Sequence, residues 1–75
     1  MTIIGWETAT KNIPDHIADR YKDAAMSAIK KAGASVETTA QAHGTSIGAS
    51  HNIFVTCQIN GETYDWAETF TAKPA

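Results

Sequence analysis

Asn60-Gly61 stands between two runs rich in β-branched and aromatic residues, 53–59 and 62–70, and no other feature constrains the chain as tightly. A two-residue type I′ turn needs φ > 0 at both central positions, and Asn followed by Gly adopts it with little strain. Such a turn sets the register. It places Ile59 opposite Glu62, Cys57 opposite Tyr64, Val55 opposite Trp66, Ile53 opposite Glu68 and His51 opposite Phe70. These pairs make a mostly apolar face. The alternate pairs are Gln58 with Thr63, Thr56 with Asp65, Phe54 with Ala67 and Asn52 with Thr69, and their face is mostly polar. One side of the hairpin is therefore core and the other meets solvent.

A helix accounts for the middle of the chain. Lys11-Asn12-Ile13-Pro14-Asp15 is an entry signal: Asn12 is a capping type, Pro14 suits a first turn, and Asp15 favours the positive end of the dipole. At 100° per residue, Ile17, Ala18, Tyr21, Ala25, Ile29 and their alanine neighbours share one stripe, with Asp19, Arg20, Asp23, Lys30 and Lys31 outside it. Small residues on that stripe let the helix approach a sheet closely, leaving room opposite for Tyr64, Trp66 and Phe70. Gly33 sits where a helix-terminating glycine belongs.

Residues 2–10 are β-branched and aromatic and read as a strand, with apolar residues on both faces at its start favouring a central place in the sheet and Gly5 marking a weak point or bulge. Residues 35–42 alternate but are weakly apolar, which suits an edge strand. Residues 43–50 hold two glycines and several hydroxyl residues and read as a mobile loop, and residues 71–75 read as a fraying tail. The expected architecture is a single α+β domain over residues 1–75, with 72–75 as flexible tail. It has two layers in the order β-α-β-β-β, one amphipathic helix on a four-stranded, mostly antiparallel sheet. The first two strands would be parallel neighbours joined by a right-handed crossover. One helix leaves the second sheet face open, to solvent or to another chain.

At 75 residues the chain is close to the smallest size that a hydrophobic core alone supports, so a partner subunit would help. Cys57 is the single cysteine, which rules out an intramolecular disulfide and a cysteine-rich zinc site and suits a reducing, cytoplasmic setting. A net charge of −2 provides no basic field for nucleic acid or anionic lipid. No stretch has the length and apolarity of a membrane span or the pattern of a signal peptide.

Candidate sites are sparse. His43 and His51 bracket the glycine-containing segment and, with Glu68 or Asp65, would be the groups to hold a metal, but they lack tight ligand spacing and read more plainly as strand-end histidines in solvent. Cys57 falls on the core face, roughly 20 Å along the strand from His51 at 3.4 Å per residue, too far for activation by that base. Gly44-Thr45-Ser46-Ile47-Gly48 lacks the Gly-Lys-Ser/Thr ending of a phosphate loop and precedes a strand. A helix-turn-helix over 38–57 fails because Thr45 and Ser50 would occupy apolar anchor positions and Gly48 would interrupt the second helix. Trp6 reads as core first and as an interface anchor second. Phe54 is the bulky apolar residue on the polar hairpin face, where it can seed a contact.

The run from Ser50 to Tyr64 (SHNIFVTCQINGETY) resembles the strand portion of a double-stranded-RNA-binding domain, although the second helix and the Lys-Lys-x-x-Lys phosphate clamp of that family are missing from this sequence. The β-α-β-β order with a loop at 44–48 is similar to the dodecins, small flavin-binding oligomers. The tryptophan that stacks on flavin in that family would fall at Ser35 or Val36 here. Neither resemblance includes the motif that defines its family.

These features point to a small non-enzymatic binding protein that occludes the surface of a macromolecular partner, as compact phage and mobile-element inhibitors do. It would have no catalytic residues, metal or cofactor. Its interface candidates are Phe54, Trp6, His43 and His51. The partner is expected to be a protein, including a second copy in a homodimer joined through the open sheet face or the edge near 35–42. The alternative is an oligomer that binds a flavin-like small ligand between subunits.

Overall fold

In the computed structural model, which describes residues 1–72, Asn60 (φ 52°) and Gly61 (φ 80°) both take the left-handed conformation that a type I′ turn demands. They join β3 (Ser50–Ile59) to β4 (Glu62–Thr71) in the expected register, from Ile59 opposite Glu62 to His51 opposite Phe70. Ile53, Val55, Cys57 and Ile59 are buried on one face, while Phe54 and Gln58 are exposed on the other.

The other elements are β1 (Thr2–Ile4), α1 (Trp6–Ala9), α2 (Asp15–Lys31) and β2 (Thr39–Ile47). Together they make an α+β fold, with one long helix packed on a four-stranded mixed sheet of order β1-β2-β3-β4. β1 runs parallel to β2, and the remaining neighbours are antiparallel. Helix α2 begins after Pro14, whose carbonyl accepts from the N–H groups of Ile17 and Ala18. It ends in a Schellman motif: Ala34 N–H donates to the Ile29 carbonyl and Gly33 N–H to that of Lys30, with Gly33 at φ 111°. Ala18, Ala25 and Ile29 are the fully turned-in positions of its stripe and pack with Ala40, Ile53 and Val55.

Several expectations fail, each for a physical reason. The strand over 2–10 stops at Ile4. Gly5 turns left-handed at φ 79° and its carbonyl accepts from Ala9 N–H, so the chain winds into α1 and drives Trp6 inward. β1 is then too short to be central and forms the edge, whereas β2 lies between β1 and β3. Residues 35–38 are not strand: Ser35 and Thr38 close a turn, with Thr38 N–H on the Ser35 carbonyl and Ser35 N–H on Thr38 Oγ1. The 43–50 loop is instead the continuation of β2 to Ile47, a two-residue turn at Gly48 (φ 58°) and Ala49, and the start of β3 at Ser50. Thr71 belongs to β4, and Ala72 N–H donates to the Ala49 carbonyl, so the tail is fastened this far. The remainder of the expected tail, 73–75, lies outside the described residues.

Candidate functional site

Strand alternation assigns each polar side chain to one of two faces. The face opposite α2 carries no covering element among the described residues. Across its middle run His43, Phe54 and Ala67, paired strand to strand, and beside them run Ile4, Gln41, Thr56 and Asp65. Phe54 is 42% exposed and Ile4 52%. Farther along, Gln58 Nε2 donates to Thr63 Oγ1 at 2.7 Å, and Thr69 Oγ1 to Asn52 Oδ1 at 2.8 Å. Polar groups, among them the Asp65 carboxylate, thus surround an apolar centre at Phe54.

His51 lies on the other face. Its Nδ1 is 2.8 Å from Ser46 Oγ, and its ring stacks on Phe70 with centroids 6.1 Å apart and planes 17° apart. Asn12 Nδ2 donates to the same Ser46 oxygen at 3.3 Å, so the segment before α2 is tied to the β2–β3 hairpin. A serine hydroxyl on a histidine nitrogen is half of a nucleophile-activating arrangement. A third group normally orients the ring, commonly a carboxylate. Among the described residues the ring is held by packing on Phe70, and the cluster reads as a tie between segments.

His43 and His51 therefore do not come together: one shares the bare face with Phe54, the other sits beside Phe70 on the helix side. No group of three or more His, Cys, Asp or Glu side chains that could hold a metal occurs among the described residues. Trp6 is 7% exposed and belongs to the core, which removes it from the free surface. It floors a groove of about 400 Å³ between α1 and α2, walled by Glu7, Lys11, Asp15, Asp19 and Lys22. Cys57 is buried, and burial first, then the negative charge of Asp65, pushes its thiol above its ordinary value. Such an environment favours the protonated thiol over the nucleophilic thiolate.

The partnership of Ser46 with His51 went unseen in the sequence because 43–50 read as loop. A signal was present: a two-residue turn at Gly48-Ala49 pairs Ile47 with Ser50 and hence Ser46 with His51. Comparison of the chain with protein-family models, curated proteins and solved structures gives no match. Among the described residues no helix is long and apolar enough to cross a membrane.

Proposed function

We propose that the chain is a non-enzymatic binding protein that works by laying the bare face of its sheet on a protein partner and occluding that partner's surface, in the manner of compact phage or mobile-element inhibitors. The observation that carries this reading is Phe54, a large apolar side chain left 42% exposed in the middle strands of an uncovered sheet. An apolar centre within a polar rim is the anatomy of a protein interface, and an aromatic residue there is a natural anchor. His43 lies directly across the strand pair and extends the contact. A second copy of the chain is one partner this face fits, which makes self-association part of the same test.

The test is the Phe54→Glu variant. A charge introduced at an exposed position leaves the helix-side core untouched, so the circular dichroism spectrum should match wild type. Capture of partner from native lysate, and any concentration-dependent mass in sedimentation, should both fall away. Equal capture by wild type and variant would overturn the assignment of this face. A flavin-like chromophore that co-purifies with the chain would overturn the class itself.

A further inference from the structure

β4 is the outer strand of the sheet on the side away from β1. With a two-residue turn, Ile59 and Glu62 exchange both backbone hydrogen bonds, and every second pair after them does the same. Tyr64, Trp66, Glu68 and Phe70 consequently turn their N–H and C=O toward β3, and Thr63, Asp65, Ala67 and Thr69 turn theirs outward. At Thr69 the outward groups are both occupied: its N–H donates to Glu68 Oε1 at 3.1 Å, and its carbonyl accepts from the Tyr21 hydroxyl at 3.4 Å. Among the described residues no hydrogen bond caps the outward groups of Thr63, Asp65 and Ala67. The edge is closed at one end and open along 63–67.

Open edges are normally guarded by charged side chains, lysine above all, by proline or by a bulge. Here the register of β4 is regular and residues 32–72 contain no Lys, Arg or Pro, while β4 bears Glu62, Asp65 and Glu68. That charge selects the occupant. Antiparallel pairing of two copies centred on the open stretch would set Asp65 against Asp65 and Glu62 against Glu68, which like-charge repulsion disfavours. On the helix side, Tyr64 and Trp66 remain half-buried between Glu62 and Glu68, offering apolar contact flanked by carboxylates.

We propose that residues 63–67 of β4 accept an extended, basic segment of another protein as a fifth strand. Its backbone pairs with the outward groups of Thr63, Asp65 and Ala67. Its lysines or arginines lie opposite Glu62, Asp65 and Glu68, and its apolar residues lie over Tyr64 and Trp66. The site goes beyond the Phe54 face: it is the backbone edge that borders that face and shares Asp65 and Ala67 with it, and Phe54→Glu, which alters the face but not the edge backbone, separates the two.

Reading outward from Glu62 to Glu68, the fitting peptide is Lys-Thr-Val-Lys-Val-Thr-Lys, which is palindromic and so serves either strand direction. In an NMR titration with this peptide, the Thr63, Asp65 and Ala67 amides should shift and gain protection from exchange, and binding should weaken with added salt. Ala67→Pro deletes one outward donor without breaking the ladder to β3, and should weaken binding about tenfold or more. Asp65→Lys should weaken binding of the lysine peptide and favour Lys-Thr-Val-Glu-Val-Thr-Lys, in which only the residue opposite position 65 is reversed, a charge swap that remains readable if the proline variant fails to fold. Phe54→Glu should bind the peptide as wild type does. The proposal is overturned if a scrambled peptide of the same composition binds equally, if those three amides do not respond, or if the wild-type chain protects them by pairing with itself.

Discussion

Gly44 on β2 lies directly against the backbone of Ala9 at the end of α1: a Cβ added at Gly44 would come within 2.9 Å of Ala9 Cα and collide with the Ala9 carbonyl oxygen. The contact joins the short helix to the sheet and explains why a strand carries glycine at this point. Gly44→Ala should therefore destabilise the chain by about 1–3 kcal/mol, because both sides of the clash are backbone and neither can rotate away. Urea denaturation measures it. An unchanged midpoint would mean that α1 does not rest on β2.

Trp6 is placed in the core by Gly5 and by the buried Thr10 hydroxyl, which donates to the Trp6 carbonyl at 2.8 Å. Trp6→Ala should cost about 3–5 kcal/mol, enough to unfold a chain this small, whereas Trp6→Phe should remain folded. Thermal melts of the two variants separate a core role from a surface one. A Trp6→Ala variant that melts like wild type would return this residue to the surface.

Gly61 holds φ 80° with nothing within 4 Å of where a Cβ would stand. Gly61→Val is thus a test of backbone strain alone, with an expected loss of about 1–2 kcal/mol. The loss should appear as a lower denaturation midpoint with the same slope. No loss would rule out the left-handed turn.

Cys57 should resist iodoacetamide in the native protein and react once the chain is unfolded. Its native thiol is held protonated above the ordinary range by burial and by the negative charge of Asp65, so proton loss favours the unfolded chain. The sign follows. This contribution to stability is complete below the ordinary thiol pKa and declines as pH rises through it toward the raised native value. Comparing denaturation midpoints across that alkaline window, wild type should decline more steeply than Cys57→Ala. Equal slopes, or rapid native alkylation, would place the thiol in water.

Much of the fold was legible in the residues because it is governed by near neighbours. The register of β3 and β4 follows from two positive φ angles at Asn60 and Gly61, and the face assignment of Phe54 and Cys57 follows from alternation. The span of α2 follows from its 3.6-residue stripe and from Gly33, which closes it by bonds to Ile29 and Lys30. The candidate site was half legible. Phe54 emerged as the exposed aromatic residue, but the opposite faces of His43 and His51 were hidden while the segment between them read as loop.

The rest was decided by contacts between residues far apart in the chain. Whether Gly44 loosens a loop or admits a backbone depends on Ala9 being there to fill the space, and nothing local in HGTSIGAS carries that information. Trp6 alternates as a strand residue would, yet Gly5 can turn left-handed, and burial of the indole favours the helical turn over extension of the strand. Strand order is likewise a tertiary outcome: alternation shows that 39–47 has two faces, but only its neighbours determine that it lies inside the sheet and leave β4 as the long outer edge. The sequence by itself determined the turn, the helix and the faces, because dihedral preference and periodicity act over a few residues. Tertiary structure decided the edges, the inward turn of Trp6 and the continuation of β2, because close packing and sheet pairing depend on which distant segment occupies the adjoining space.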